Sequence, residues 1–158
     1  MILTDKRSGC QTKHLTTTAR IIKDYEYIHD IIGYNYRLPN LNAAIGIAQM
    51  EQLEKFLKAK RALAKEYQNF FKGSSINFFS ETPESKSNYW LNAVVCEDKK
   101  MRNALIESTN RSGITTRPVW KLMNELKMFQ GSDKGDLTIS EWLQNRVVCL
   151  PSSVIQSL

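Results

Sequence analysis

The sequence predicts a mixed α/β and α+β fold, in which a long helix leads into a small α+β domain. A run without any charged residue, 38–50, opens a helical pattern of roughly 32 residues, or about 48 Å at the α-helical rise. Strand and helix patterns then alternate over residues 76–150, which is typical of a compact α+β unit. At 42% hydrophobic residues, the chain has enough apolar side chains to build a core.

The residues before the helix show no clean period. The opening "MILT" is a short apolar run that fits a buried strand. The β-branched stretch "HLTTTARII", residues 14–22, fits a strand or an extended loop equally well. Residues 23–37, "KDYEYIHDIIGYNYR", are interpreted as a long loop that its four tyrosines keep ordered.

The central helix is predicted to begin at Asn40, which follows Pro39 and has the side chain of an N-cap. Over residues 38–50 apolar side chains occur all round the helix, which predicts burial on every side. From Glu51 the pattern becomes amphipathic, and Gly73 is the expected end.

The segments after residue 74 alternate between the two kinds of secondary structure. Gly113 is expected to end the first helix and Asp136 to cap the last. Met101, Leu105 and Ile106 are predicted to face inward from the first of these helices. The predicted strands are "INFFS", "YWLNAVVC" (residues 89–96), "ITTRPVW" and "VVCLP", and the predicted helices are "EDKKMRNALIESTNRSG", "KLMNELKMF" and "LTISEWLQNR".

Several classes of protein are disfavoured by what the sequence contains. Three widely spaced cysteines without a CxxC pair argue against a disulfide framework and a zinc site, and two distant histidines add no metal cluster. No GxSxG, HExxH, GxGxxG or glycine-rich phosphate loop occurs. Because no apolar run approaches the roughly 18 residues that cross a bilayer, we expect a soluble cytoplasmic protein without a membrane partner.

The net charge of +6 is uneven along the chain. Residues 1–75 carry 12 basic against 7 acidic residues, and residues 76–158 carry 10 against 9. A basic half is compatible with nucleic acid or a small anion as partner. However, "KAKRALAK", the densest basic stretch, has no interleaved aromatic for stacking on bases, which favours a solvated helix face.

Two polar constellations are candidate sites. Asn35 and Arg37 directly precede the helix, whose N-terminal amides favour an anion, and a guanidinium suits phosphate or carboxylate. The structural alternative is that Asn35 completes a turn and Arg37 pairs with Asp24 or Asp30.

The second constellation is "TRPVW", in which Arg117 and Trp120 lie on either side of a stiffening proline and could line the edge of a cleft. The alternative there is a buried Trp120 with Arg117 at the surface.

Residues 33–53, "GYNYRLPNLNAAIGIAQMEQL", resemble the signature of the DegT/StrS family of pyridoxal-phosphate sugar aminotransferases. The segments "KHLTTTAR", "SNYWLN", "GITTRPVWKLMN" and "LPSSV" are similar to one branch of it. That branch makes 4-amino-4,6-dideoxy sugar nucleotides for surface glycans of the legionaminic-acid type. The resemblance covers almost the whole chain.

This resemblance implies the C-terminal part of a fold-type-I transferase, which is normally a homodimer with active sites at the subunit interface. Asn35 and Arg37 would then contact the phosphate of the partner subunit's pyridoxal phosphate (PLP), and Tyr34, Arg117 and Trp120 would contact substrate. The reaction implied is transfer of an amine from glutamate to a nucleotide-linked 4-keto-6-deoxy sugar. The uncharged helix would pack in the large domain and against the second subunit.

The resemblance also places the lysine that binds PLP before "MILT", so that Lys6 and Lys13 cannot take its role. We therefore expect no catalytic residue in this chain and no activity of the chain alone. Its partner would be a second copy or a complementing N-terminal half. The expected domains are 1–38, a remnant of the PLP-binding domain; 39–73, the bridging helix; and 74–158, the small domain.

Alternatives to an aminotransferase stay open from the sequence. The apolar residues 38–50 could serve a non-catalytic oligomerisation module, since they would otherwise expose a large apolar patch. A nucleic-acid-binding domain is supported only by the basic first half. Within the resembling family, a dehydratase on the same fold is an alternative to the aminotransferase.

Overall fold

The computed structural model describes residues 6–23, 25–36 and 38–154, so the predicted strand "MILT" lies outside the described residues. The helices are α1 (Lys6–Thr16), α2 (Asn40–Met50), α3 (Leu53–Phe71), α4 (Lys99–Arg111) and α5 (Thr138–Gln144), and the strands are β1 (Arg20–Lys23), β2 (Glu26–His29), β3 (Asn77–Phe78), β4 (Asn92–Val95), β5 (Arg117–Pro118) and β6 (Val147–Leu150). The mixture of helices with small sheets agrees with the predicted fold class.

The chain divides into two compact units. The first contains Met1–Ala48 and Trp120–Leu137, and the second contains Gln49–Val119 and Thr138–Leu158. Our domain limits at residues 38 and 73 were drawn from sequence pattern and stay a prediction.

The first unit begins with α1, where the sequence suggested a strand or loop for residues 14–16. The threonines that favoured a strand instead satisfy carbonyl groups at the end of the helix, which is why their β-branching did not prevent it. The Thr16 hydroxyl donates to the Thr12 carbonyl (2.9 Å), and the Thr17 hydroxyl donates to the Lys13 carbonyl (2.7 Å).

An antiparallel hairpin, β1–β2, takes up residues 23 and 26–29 of the long loop predicted for residues 23–37. Its register pairs Arg20 with His29 and Lys23 with Glu26. The Arg20 guanidinium lies 4.8 Å from the centre of the Tyr27 ring, a cation–π contact across the two strands. The strand alternative given for residues 14–22 is confirmed for residues 20–22, whereas β2 falls within the predicted loop.

The predicted single helix is in fact two helices, and this part of the prediction was wrong. The α2 helix ends at Met50, residues 51–52 form a turn, and α3 starts at Leu53. At the turn, the Gln52 amide donates to the Gln49 carbonyl at 3.1 Å, a three-residue step in place of the four-residue step of an α-helix. No Gly or Pro occurs between Gly46 and Gly73 to signal the break.

The ends of these helices agree better with the prediction. Gly73 has φ +79°, the left-handed conformation that glycine adopts without strain after a helix, and α3 ends just before it. The α2 helix begins at Asn40 itself, since the Ala43 amide donates to the Pro39 carbonyl (3.1 Å). The N-cap is therefore Pro39 and the prediction for Asn40 is off by one residue.

A four-stranded antiparallel sheet organises the second unit, in the order β3-β4-β6-β5. The strand predicted over residues 89–96 is shorter, Asn92–Val95, and its predicted first residue, Tyr89, has a left-handed backbone that a strand does not include. The core lies between the sheet and helices α3 and α4. Its buried residues are Val94, Cys96, Ile106, Val148 and Leu150, with Tyr67, Phe71, Met101 and Leu105 packed against them.

The α4 helix follows its prediction closely. Ile106 is buried, Met101 and Leu105 are half-buried, and Gly113 has φ +77° just after the helix. Its N-cap is Asp98, whose carboxylate accepts from the Met101 amide at 2.7 Å.

The short helix predicted for residues 121–129 is instead two 3-10 turns, Met123–Glu125 and Lys127–Phe129. Leu126 lies between them in an extended conformation and is buried, so the chain bends to place this one side chain inside. Because of this bend, the prediction of one continuous helix over residues 121–129 was wrong.

Within the described ranges, no helix is long and apolar enough to cross a membrane. No three His, Cys, Asp or Glu side chains of the described residues come together as metal ligands.

Candidate functional site

The candidate site is built on residues 33–36, which run beside the end of α1. Thr17 and Asn35 form an antiparallel bridge between the two segments. The flanking backbone hydrogen bonds are Tyr34 N to Leu15 O (2.6 Å), Thr18 N to Tyr34 O (2.9 Å) and Tyr36 N to Thr16 O (3.1 Å). The backbone on both sides of Asn35 is therefore fixed to the end of a helix.

Gly33 allows this close approach of two backbone segments. A Cβ at Gly33 would lie 2.6 Å from the Ala19 nitrogen and 2.7 Å from the Thr18 carbonyl carbon, both far inside van der Waals contact. Thr18 and Ala19 have φ values of 67° and 48°, and Ala19 is completely buried. Two consecutive left-handed residues are uncommon outside glycine, and such strain persists where the surrounding contacts enforce it.

Two histidines form hydrogen bonds close to the turn at Thr18 and Ala19. His14 Nε2 lies 2.7 Å from Asp30 Oδ1, and this hydrogen bond lowers the pKa of the Asp30 carboxyl. His29 Nδ1 lies 2.6 Å from the Thr18 carbonyl and must donate to it, because a carbonyl only accepts. Asp30, which we considered as a partner for Arg37, is thus paired with His14.

The side chains that this segment presents are exposed. Tyr34 is 57% exposed and its ring stacks on Tyr36, with the ring centres 5.9 Å apart. Asn35 is also exposed. Arg37 lies outside the described residues, so its predicted contact with phosphate stays a prediction. The segment thus places an amide and a phenol at the surface on a rigid backbone.

The α2 helix begins four residues after Tyr36. The first turn of α2 contains no acidic residue, so nothing in that turn offsets the positive end of the helix dipole. An exposed amide and an unopposed helix N-terminus are donors of the kind a phosphate monoester accepts from. The described residues of this region therefore offer donor groups of a kind that suits a phosphate.

The "TRPVW" segment does not have the arrangement of the structural alternative. Arg117 is half-buried on β5, where it pairs with Cys149 of β6. Trp120 is 50% exposed, so the alternative with Trp120 in the core and Arg117 at the surface was wrong. Arg117 belongs to the second compact unit and Trp120 to the first.

The start of β5 is fixed by polar contacts that the sequence did not reveal. Thr116 is buried; its hydroxyl lies 2.6 Å from that of Thr109, and its carbonyl accepts from Asn110 Nδ2 at 3.0 Å. On the other side of Trp120, the Lys121 ammonium lies 3.4 Å from a Glu26 carboxylate oxygen.

Sequence reasoning also missed the residues that fix the Asn35 segment, namely Gly33, His14 and Asp30. Gly33 stands in a long tyrosine-rich stretch where no turn pattern marks it. The His14–Asp30 pair joins residues 16 positions apart, and nothing in a single sequence links them. Backbone contacts between distant segments bring these side chains together, among them the pairing of residues 33–36 with the end of α1 and the hydrogen bond from the Asp30 amide to the Ala19 carbonyl (3.3 Å).

Comparison with known proteins gives matches along nearly the whole chain. The family model described as "DegT/DnrJ/EryC1/StrS aminotransferase family" matches residues 3–156. A GDP-perosamine synthase of Vibrio cholerae is 30% identical over 135 residues, which are 84% of this chain and 37% of that protein. A GDP-perosamine synthase of Escherichia coli O157:H7 is 33% identical over 127 residues, 80% of this chain and 34% of that protein.

A solved structure of a DegT DnrJ EryC1 StrS aminotransferase from Brucella abortus superposes with a TM-score of 0.67 at 20% identity, over 97% of this chain and 40% of that one. That likeness shows the fold. The chain spans only about a third of the length of the relatives it matches.

Proposed function

The chain belongs to the DegT/DnrJ/EryC1/StrS aminotransferase family, and from this premise we propose that it is the C-terminal part of a PLP-dependent sugar aminotransferase. The reaction is transfer of an amine from glutamate to a nucleotide-linked 4-keto-6-deoxy sugar, in the synthesis of surface-glycan sugars in the cytoplasm. The observation that carries the proposal is the rigid pairing of residues 33–36 with the end of α1, which presents Asn35 just before α2.

The role we assign to Asn35 is to bind the phosphate of PLP held by the partner subunit, with Arg37 beside it. When bound, PLP supplies an electron sink for the carbon that carries the amine. A neutral amide on a fixed backbone positions a phosphate by donating a hydrogen bond to one of its oxygens. A guanidinium also neutralises part of the negative charge of the phosphate. Both residues act by binding and orientation.

Tyr34, Arg117 and Trp120 are proposed to contact the substrates. Arg117 suits the carboxylate of the amino donor, because a guanidinium binds a carboxylate through two parallel hydrogen bonds. Tyr34 and Trp120 are each at least half exposed, and each combines a large apolar face with one polar atom, as sugar binding requires.

The proposed partner is a second copy of the chain's full-length form, or a complementing N-terminal half. The support is the surface of α2, on which no side chain is buried within the described structure. Leu38, Leu41 and Ile47 are 77%, 72% and 67% exposed in a run without charges. An apolar surface of that kind is typical of an interface between subunits.

Chemical trapping tests the proposal on the 158-residue chain itself. The chain is mixed with PLP, reduced with borohydride and analysed by mass spectrometry. We expect no lysine of this chain to carry the cofactor, because its proposed role is to contact PLP held by another subunit. A lysine modified in stoichiometric amount would contradict this division of roles.

Reconstitution with a cofactor-bearing piece tests whether this chain contributes to PLP binding and amino transfer. The chain is combined with an N-terminal piece of a family member that carries the cofactor lysine, and PLP affinity and amino transfer from glutamate are measured. Asn35→Ala should weaken PLP affinity about tenfold or more, since a hydrogen bond to a charged group contributes about 1.5–3 kcal/mol. Asn69→Ala, a matched amide on the exposed end of α3, should change neither quantity. Equal affinity of the Asn35→Ala and native assemblies would refute the role of Asn35.

A further inference from the structure

Residues 81–90 are fastened to α3 by one ion pair and its hydrogen bonds. Arg61 donates two hydrogen bonds to the Glu81 carboxylate, at 2.6 and 3.0 Å. The same two side chains bind the Ser87 backbone: Arg61 donates to its carbonyl and Glu81 accepts from its amide, both at 2.6 Å. The hydrogen bonds from Arg61 and from the Ser87 amide lower the pKa of Glu81 to about 2. The loop is therefore fixed at both Glu81 and Ser87.

Tyr89, two residues further on, has a strained backbone. Its φ is +45°, and a bulky aromatic residue rarely adopts this left-handed conformation. The surroundings enforce it: the Tyr89 amide donates to the Ser87 hydroxyl (3.0 Å), and the Arg61 guanidinium lies 5.6 Å from the ring centre. Strain of this kind, held by several contacts, is found most often where a side chain must be aimed for binding.

The strained turn directs the next residue outward. Trp90 is 66% exposed, although its backbone is held on both sides. Its amide donates to Asn88 Oδ1 at 2.9 Å, and its carbonyl accepts from the Lys60 ammonium at 3.4 Å. A large flat side chain is thus presented to solvent from a backbone with little freedom to move.

A cleft of about 480 Å³ lies beside this turn, lined by Glu54, Leu57, Lys58, Lys86 and Asn88 together with Arg61. This volume suits a small molecule of nucleotide size. Since Glu81 neutralises Arg61, the charges left in the lining are the ammonium groups of Lys58 and Lys86 against the carboxylate of Glu54. The cleft is therefore suited to a small anion.

We propose that Trp90 and this cleft bind the nucleoside diphosphate portion of the sugar substrate, with the base stacked on Trp90 and the diphosphate between Lys58 and Lys86. The identity of the ligand rests on the proposed function, whereas the site rests on the geometry of this one compact unit. An exposed indole on a rigid base next to a cationic cleft is the arrangement that combines base stacking with phosphate binding.

Direct binding to the 158-residue chain tests the proposal without PLP or amino donor. GDP and inorganic pyrophosphate are titrated separately, and calorimetry and tryptophan fluorescence report affinity and stacking. GDP should bind more tightly than pyrophosphate and quench part of the fluorescence. Trp90→Ala should weaken GDP at least about fivefold, since stacking on an aromatic side chain contributes that much, and should leave pyrophosphate unchanged. Trp90→Phe should retain part of the affinity and Trp142→Phe all of it.

Charge variants of the lining test the diphosphate half. Lys86→Gln should weaken both GDP and pyrophosphate by about two- to fivefold and reduce the salt dependence. Glu54→Gln should tighten both ligands, because it removes the opposing carboxylate. Lys100→Gln, an exposed change on α4 outside the cleft, should have no effect.

The proposal is overturned if neither ligand binds, if Trp90→Ala leaves GDP affinity intact, or if Trp90→Ala instead abolishes self-association in sedimentation, which would make Trp90 a protein contact. Binding of GDP to this chain alone, together with failure of the reconstituted assembly to transfer an amine, would support the site and count against the proposed reaction. Failure of the nucleotide site and failure of the proposed amino transfer therefore give different results.

Discussion

Individual side chains determine how residues 33–36 lie against the end of α1. Gly33 has almost no space for a side chain, Ala19 is fully buried, and the His14–Asp30 pair closes the turn. These contacts fix the backbone of Asn35, while its side chain stays exposed. The residues that fix this backbone are thus different from Asn35, whose side chain is exposed.

Gly33→Ala should disrupt this pairing. The new methyl group would meet backbone atoms of Thr18 and Ala19 at 2.6–2.7 Å, and backbone cannot move aside as a flexible side chain can. We expect a loss of about 1–3 kcal/mol, as in overpacked sites, measured by urea unfolding. Faster amide exchange at Thr18 and Tyr34 should accompany it.

Gly131→Ala is the matched control, because nothing lies within 4 Å of a Cβ at Gly131. Equal effects of the two substitutions would show that the close packing around Gly33 does not stabilise the turn.

The Glu81–Arg61 pair predicts a pH dependence of stability. The pKa of Glu81 is about 2 in the folded chain and about 4.5 in the unfolded chain, since Arg61 and the Ser87 amide stabilise the carboxylate. A carboxyl whose pKa is depressed on folding stabilises the folded state above its unfolded pKa, and the contribution is lost as pH falls from about 4.5 to about 2. Glu81→Gln should therefore be less stable than the native chain at pH 7, and the difference should shrink in acid.

Urea unfolding at a series of pH values measures this difference. Glu84→Gln, an exposed carboxylate in the same loop, should retain the pH response of the native chain. A constant difference between the Glu81→Gln and native chains from pH 7 to pH 2 would contradict the assignment.

At the scale of elements, the sequence predicted most helices and strands of the second unit and few of the first. Val94, Ile106 and Val148 form a core within the chain, so their periodicity reports burial directly. Within the described residues the hairpin strands pair only with each other, and the end of α1 depends on threonine hydroxyls and on pairing with residues 33–36. Neither arrangement leaves a periodic pattern in the sequence. The break between α2 and α3 had no Gly or Pro signal either, so it could not be predicted.

The motif around Asn35 was found because its residue types fit phosphate binding and because it resembles a known signature, not because its geometry could be calculated. Gly33, Tyr89 and the Arg61–Glu81 pair were missed for one physical reason. Their roles depend on a close approach, a backbone dihedral or a contact over 20 positions, none of which a single sequence displays.

The apolar surface of α2 predicts association between chains. Ile45 is 53% exposed on this helix, so Ile45→Glu should leave the folded chain nearly as stable as before. In an interface, however, a buried unpaired carboxylate is strongly unfavourable, and we expect at least a tenfold weaker dimer in sedimentation equilibrium. Ile139→Glu on α5, where the side chain is 71% exposed, should not alter association. A self-association constant that Ile45→Glu leaves unchanged would remove α2 from the interface.

For the whole molecule, the two compact units have different sources of stability. The second unit contains the described hydrophobic core, with Val94 and Val148 completely buried. In the first unit the described residues that are both apolar and buried are Ala19 and Leu126, and hydrogen bonds between backbone segments hold the turn at Thr18 and Ala19. A unit with little apolar burial depends more on the surfaces it covers in an assembly.

Val148→Ala tests this difference in one measurement. Removing two methylene-sized groups from a fully buried site should destabilise the second unit by about 2 kcal/mol, from lost transfer free energy and the cavity left behind. Hydrogen exchange should rise in β4 and β6, which pair through Val94 and Val148, and remain native at Thr18 and Tyr34 in the first unit. A parallel rise in both regions would mean that the chain unfolds as a single cooperative body, and the first unit would then owe its stability to the core of the second.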